Sequence, residues 1–415
     1  MKKLYLFIGL ALIAVISGIM LSLFKIQISV GLKTAIFVIA FIAVGFMLSW
    51  AADVAKRYIS QGITVAILGF IVVLPEYAVD IYFSYQAGLN PGSEYTNLAT
   101  ANMAGSNRLL IGIGWSLIGL LYWFRFKKKQ VKLKPENTVE VVFLTLASLY
   151  SFVIILKNNI SLLDMGILFA IYAGYIWRLN RLPQAEEEEK EIGTAALILQ
   201  LKKNKQIWLM TGLAIFSIGG LLLIAQPFSE SLKATGKTLG INDYLMVQWV
   251  APLASETPEI IITIMFVLNG RPTTSLGTLV TSKVNQWTLL IGMIPLAFSI
   301  GAGSFASLPL NNLQDQELFL TAAQSLFALA LIYNLKLGVK DALAILMLFL
   351  VQFVLGFIYQ DDKQTTLSIL TVISWVYLFL TLIMIFRHRK DLIKLVKNGL
   401  LRVPEKEGNK SQKPM

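Results

Sequence analysis

The stretch "VVLPEYAVD", residues 72–80, decides how this chain is read. It lies inside an apolar run, 63–87, that has no lysine or arginine and is long enough to cross a bilayer. Acids at membrane depth cost about 3 kcal/mol each on insertion scales, so two carboxylates near the middle of such a run mark a pathway. Pro75 lacks a backbone N–H and crowds the preceding turn, which predicts a kink or break there. Carbonyls freed at a break can coordinate cations if they line a cavity, and Glu76 follows at once with hard oxygen donors. Asp80, one turn later, shares the face of Glu76.

The rest of the chain has the composition this reading needs. Of 415 residues, 56% are hydrophobic and only 14% charged, with a mean hydropathy of +0.68, which calls for a lipid solvent. The net charge of +12 sits in clusters between apolar runs, so it reports membrane topology and argues against nucleic acid as a partner. The chain has no cysteine, which excludes disulfides and thiolate chemistry. Its single histidine, His388, lies beyond the last apolar run, so no histidine metal site is expected. With no P-loop, nucleotide fingerprint or Ser-His or Ser-Lys pairing, neither an enzyme nor an ATP-driven pump is expected, and no cofactor.

Twelve apolar runs are candidate spans: 4–24, 34–50, 63–87, 99–124, 139–156, 162–177, 207–225, 244–268, 275–298, 318–333, 342–359 and 367–386. The first follows "MKK" and is longer than a signal-peptide core, so it reads as a retained helix. The expected class is all-α, a polytopic membrane protein of about 12 transmembrane helices. Most of the 36 lysines and arginines fall in alternate loops and the two termini, such as "RFKKKQVKLK" at 125–134 and "RHRK" at 387–390. Lys25, Lys33, Lys157, Lys233, Lys237 and Lys363 lie on the other side, and Arg108 and Lys283 lie within spans. This asymmetry places both termini in the cytoplasm. Short loops fit the inner membrane of a prokaryotic cell.

The longest polar stretch between spans, residues 181–206, divides the chain into comparable halves. "LPE" at 74–76 then finds a counterpart in "TPE" at 257–259. Each precedes a helix with a small-Ser pair, "AGSNRLLIGIG" at 104–114 and "VTSKVNQWTLLIG" at 280–292. The two Pro-Glu spans are five apart and cross in opposite directions, the mark of inverted-topology repeats with a midplane site. Candidate cation ligands are therefore Glu76, Asp80, Glu256 and Glu259, with Ser255, Thr257, Asn102, Ser106, Thr278, Ser282, Asn285 and Gln286 nearby by helical spacing. A lone proline is often only a kink, and small residues such as Ser106 and Ser282 also serve close packing. Two matched Pro-Glu motifs are harder to assign to packing. Arg108 points away from Ser106 and suits a structural pair, whereas Lys283 follows Ser282 and could reach Glu256 or Glu259 as an internal cation.

At these residues the chain resembles the cation/calcium exchanger superfamily, specifically the sodium/calcium exchanger membrane region, as a divergent prokaryotic member. The matches are Pro75-Glu76 with "ANMAGSN" at 101–107, and "SETPE" at 255–259 with "GTLVTSK" at 277–283. The resemblance implies ten core helices in two five-helix repeats, 34–180 and 207–360. Around them lie an extra helix in 1–33, a cytoplasmic linker at 181–206, an extra helix in 361–390 and a basic cytoplasmic tail at 391–415. It implies Glu76 and Glu259 as principal ligands and Ser106, Ser255 and Ser282 as lesser ones. Departures include Val72-Val73, where hydroxyls are usual, the extra acid Glu256, and Leu110 and Gln286 in place of Asn or Asp.

The function expected is a secondary active antiporter working by alternating access, exchanging Ca2+ or Na+ against Na+ or H+, with inorganic cations and the lipid bilayer as its partners. A sodium/proton exchanger that ignores calcium is the alternative, and a degenerate transporter-like receptor or scaffold is the alternative of another class. Oligomeric state is not written in the sequence.

Overall fold

The computed structural model describes residues 2–58, 69–182 and 191–400. The start of the third apolar run at 63–68, the acidic block at 186–189 and the tail beyond residue 400 lie outside the described residues. The first half holds α1 (Lys2–Leu23), α2 (Val30–Ala55), α3 (Gly69–Val72), α4 (Leu74–Leu89), α5 (Glu94–Leu98), α6 (Ala101–Leu109), α7 (Ser116–Phe126), α8 (Thr138–Lys157) and α9 (Leu162–Leu179). The short α10 (Gly193–Ile198) opens the second half, followed by α11 (Lys203–Leu239), α12 (Asp243–Leu268), α13 (Pro272–Asn285), α14 (Ile291–Ala302) and α15 (Asn312–Ile332). α16 (Val339–Ile358), α17 (Lys363–Arg387) and α18 (Arg389–Leu400) complete it.

Among the described residues, ten helices are long and apolar enough to span a membrane. The twelve runs of the sequence include two more. One contains α4, whose run starts outside the described residues; the other is α15, which carries Asp315 and Glu317 in its first turns. Only two short antiparallel ladders occur there, 130–132 with 336–338 and 159–160 with 308–309, so the all-α expectation holds.

Burial separates rim from centre. Only 22% of the apolar window of α1 is buried, against 78% of the window in Pro272–Ala302. Outward side chains such as Trp375, Phe379 and Leu382 on α17 are apolar and exposed, as a lipid-facing surface requires. At the centre the halves interlock crosswise: α4 packs on α14, and α12 on α6. Glycines permit this. A Cβ on Gly88 would meet the Phe298 carbonyl oxygen at 2.1 Å, and one on Gly301 would meet that of Tyr85 at 2.2 Å. Backbones this close leave no room for a side chain.

The helices that follow the two Pro-Glu motifs share an irregularity. π-helical turns occupy Leu110–Trp115, between α6 and α7, and Gln286–Leu290, between α13 and α14. Each opens one turn after Ser106 or Ser282. Such turns are rare and recur at functional sites, because the widened backbone re-aims the side chains it carries.

The residues after 390 begin with a docked helix. Leu392, Leu395 and Gly399 recur on one face of α18, which packs against α8. Arg178 donates Nε to the Gly399 carbonyl at 2.8 Å and Nη2 to that of Asn398 at 3.1 Å. Charged hydrogen bonds are worth about 1.5–3 kcal/mol, so Arg178→Ala should raise trypsin cleavage within residues 389–400 at least tenfold. Unchanged cleavage kinetics would show that apolar contacts alone hold the helix.

Candidate functional site

In the first half the chain breaks where Pro75 predicts. Val73 leaves helical geometry, at φ −91° and ψ 6°, between α3 and α4. Pro75 then falls in the first turn of α4, where a missing N–H has no consequence. Glu76 occupies that same turn, 2% exposed, at the positive end of the helix dipole.

The second half differs, because the helix is not interrupted there: α12 runs from Asp243 to Leu268 as one helix with Pro252 and Pro258 inside it. Helices at membrane depth tolerate proline. Ser255 Oγ donates to the Ala251 carbonyl at 3.2 Å, which neither proline frees. Pro252 leaves the Gln248 carbonyl without its helical donor, and Gly105 of α6 packs directly on that oxygen. The helix stays whole while its face turns polar.

Glu76, Ser255, Glu256 and Glu259 line one small pocket, with Ser49 of α2 on its other wall. Its volume, about 10 Å3, suits one water molecule or one dehydrated ion. Gln286, at the opening of the second π turn, bridges two of the acids: its Nε2 donates to Glu76 Oε1 at 3.1 Å and, in a shorter bond, to Glu256. Its Oε1 is buried with no hydrogen-bond partner. Ser282 donates to Glu259. Asn102 Nδ2 reaches the Glu76 carbonyl at 3.5 Å, and its Oδ1 is another buried acceptor without a partner. The Ser106 hydroxyl lies beside the Glu76 carboxylate. Among the described residues no three acids form a ready-made metal cluster, and the Gln286 amide donates to both Glu76 and Glu256.

Not every candidate joins this group. Asp80 is buried against Asn102 and the Met103 backbone, in the first turn of α6, and does not line the pocket. Thr257 donates back to the Leu253 carbonyl on an exposed side of α12. Arg108 makes the structural pair its angle predicts, 2.5 Å from Glu317, with its guanidinium 5.0 Å from the Trp249 ring centre. Lys283 hydrogen-bonds to no carboxylate. Its Nζ donates to Asn107 Oδ1 at 2.5 Å, to the Asn107 carbonyl at 3.0 Å and to Ser325 Oγ at 3.4 Å. These acceptors on α6 and α15 face it directly, so it turns towards them and away from Glu256 and Glu259.

Sequence reasoning gave Gln286 a place on the right helix but not its bridging role, which depends on the π turn that re-aims it. Ser49 was missed outright. A serine in an apolar helix carries no signal, and only the packing of α2 on α12 brings it to the pocket.

Residues 28–179 and 209–359 match the sodium/calcium exchanger protein family. This chain belongs to that family. The exchanger is 38% identical to a protein described by the crystal structure of "H+/Ca2+ Exchanger CAX", over 96% of this chain and 98% of that one, with a TM-score of 0.88. It shares its fold with native YfkE, at 12% identity over 85% and 99% of the two chains and a TM-score of 0.60. The sodium-calcium exchanger NCX_Mj is likewise similar in fold, at 16% identity over 78% and 98% and a TM-score of 0.52. No match was found among curated proteins. The exchanger is thus a multi-pass membrane protein of a cation-antiport family, and its expected assignment to the cation/calcium exchanger superfamily stands.

Proposed function

We propose that this exchanger moves Ca2+ against H+ by alternating access at the Glu76–Glu256–Glu259 pocket. The observation that carries the reading is the donor set. Three carboxylates line one buried pocket, the amide of Gln286 donates to two of them and the hydroxyl of Ser282 to the third, and Gln286 Oε1 and Asn102 Oδ1 are buried acceptors without a partner on the helices beside it. Carboxylates are what a divalent cation and protons both require, and neutral oxygens alone would favour Na+. Two acids facing one amide can share a proton or, once the amide turns, a divalent ion; both occupants together are excluded. That exclusion is the coupling. The 38% identity to a protein named as an H+/Ca2+ exchanger supports the same choice.

The proposal includes the topology: twelve spans, two inverted repeats at 34–180 and 207–360 and both termini cytoplasmic, in the cell membrane. The crosswise packing of α4 on α14 and α12 on α6, and the paired π turns, support the repeats. The ligands proposed are Glu76, Glu256 and Glu259 with Gln286, Asn102, Ser106, Ser255 and Ser282, and Asp80 orients α6.

The test is flux into proteoliposomes of purified protein. An imposed pH gradient should drive uptake of radiolabelled Ca2+ with or without Na+. Uptake driven by a Na+ gradient alone, or pH-driven Na+ uptake with no Ca2+ movement, would replace this reading with one of the sodium alternatives. Gln286→Leu removes one ligand oxygen and the shared donor. Its half-saturating Ca2+ concentration should rise about tenfold, the equivalent of one hydrogen-bonding ligand.

A further inference from the structure

The helix after the last span, α18, is apolar on more of its surface than it buries. Leu392, Leu395 and Gly399 face the protein, and a Cβ on Gly399 would meet Val142 Cγ2 at 2.6 Å and the Thr138 carbonyl oxygen at 3.2 Å. Turned about 100° from that face lie Ile393, Val396 and Leu400, one below another. All three are exposed, Ile393 by 69%. Lys390, Lys394 and Lys397 occupy the next arc and are exposed too. With Arg389 the helix carries four basic residues against one acid, Asp391.

The contacts of α18 fix how it lies. It leaves α17 at His388, whose Nδ1 is 3.1 Å from the Ala330 carbonyl near the end of α15. It then crosses the start of α8 at Thr138 and Val142. It ends where Arg178, in the last turn of α9, bonds the Gly399 and Asn398 carbonyls. A helix that joins these helix ends runs along the membrane surface, on the side proposed as cytoplasmic. Its 12 residues reach about 18 Å, enough to pass over two neighbouring spans.

Further positive charge gathers where α18 begins. Asn334 Nδ2 lies 3.5 Å from His388 Nε2, and Asn334 Oδ1 accepts from the Lys336 N–H at 2.9 Å. Lys336 faces Lys132 directly across the two-stranded ladder, and both are exposed. Like charges set opposite each other repel, so this place favours an anion. Among the described residues no acid pairs with these two lysines or with Lys390, Lys394 and Lys397.

We propose that α18 lies in the headgroup layer of the membrane, with Ile393, Val396 and Leu400 at the edge of the hydrocarbon and Lys390, Lys394 and Lys397 on anionic phospholipid headgroups. The two exposed arcs choose this occupant together. An acidic protein segment would satisfy the lysines and leave the apolar arc in water. A second copy meeting this face across a two-fold axis would set the lysines against one another. An anionic bilayer surface offers hydrocarbon to one arc and negative charge to the other.

The chain has no cysteine, so Ile393→Cys provides a single thiol for an environment-sensitive fluorophore. The labelled protein is placed in phosphatidylcholine vesicles containing increasing fractions of brominated phosphatidylglycerol or, in parallel, brominated phosphatidylcholine. Half-maximal quenching by the anionic lipid is expected at a mole fraction at least about tenfold lower, on the scale of several basic residues at an anionic surface. Iodide in solution should quench weakly. Changing Lys390, Lys394 and Lys397 together to Gln should bring the two lipids level, while quenching by brominated phosphatidylcholine persists because the apolar arc is intact. Equal quenching by both lipids before that change, or a preference that survives it, overturns headgroup binding. Strong iodide quenching without lipid quenching places the face in water, and protection from both quenchers means that protein covers it; either result overturns the proposal. Both leaflets carry the same lipid, so the outcome is independent of the orientation of the chain and of the ion it moves.

Discussion

Glu76→Gln protein in proteoliposomes is expected to carry Ca2+ at about one-hundredth of the unsubstituted rate or less. The carboxylate sits in the first turn of α4, buried, with a Gln286 amide proton on one oxygen and Glu256 across the amide. A cation entering this site loses its hydration and depends on ionised oxygens for compensation. Removing one partner of a buried charge pair costs about 3–5 kcal/mol, a factor of a hundred or more in occupancy at fixed concentration. Glutamine keeps the volume and can still bond to Gln286, so the protein should fold and the loss should be one of transport. Glu259→Gln should behave alike, since Ser282 holds that carboxylate in the same pocket. Asp80→Asn provides the contrast. Its side chain packs beside Asn102 at the start of α6, outside the pocket, with both oxygens buried and without a hydrogen-bond partner, and asparagine keeps its volume. Its flux should fall by less than about fivefold, the equivalent of about 1 kcal/mol for a small change in polar contacts. If Glu76→Gln transports normally, or if Asp80→Asn is as inactive as Glu76→Gln, the pocket is not where the ion binds.

How much of this was legible beforehand depended on whether a feature lives in one segment or between two. The Pro75 break, the Pro-Glu pair and the apolar runs are local, and periodicity with the chemistry of proline exposes them. Arg108 was placed correctly because an angle on one helix is enough to turn it away from Ser106. The unbroken α12 was not legible: whether a proline breaks a membrane helix depends on neighbours, and Gly105 sits far off in sequence. Lys283 was misdirected for the same reason. Its position on α13 allowed a reach to Glu256, but Asn107 and Ser325 come from α6 and α15, and their oxygens win. The polar stripe of α15 was present in the sequence as Glu317, Thr321, Gln324 and Ser325. It passed as an ordinary span because nothing local says that this helix is enclosed on every side.

Gly105→Ala is expected to destabilise the exchanger by more than about 3 kcal/mol, beyond the usual overpacking range, and to abolish a single monodisperse species in detergent. Pro252 deprives the Gln248 carbonyl of its i+4 donor, and that oxygen is where α6 and α12 touch. A Cβ on Gly105 would stand 1.6 Å from it, and 2.7 Å from the carbonyl carbon. Most overpacked cores relax by rotating a side chain, but here a Cβ with no rotamer freedom meets a backbone carbonyl. Relief requires the two helices to move apart by roughly the shortfall from a normal contact of about 3.5 Å. These helices carry Asn102, Ser106, Glu256 and Glu259, so separation also disperses the site. Gly219→Ala on α11 is the matched control: nothing lies within 4 Å of a Cβ there, and alanine should gain about 0.5–1 kcal/mol from helix propensity. Melting curves of both variants in the same detergent decide the matter. A Gly105→Ala protein that melts with the parent would mean that α6 and α12 approach less closely than in this structure.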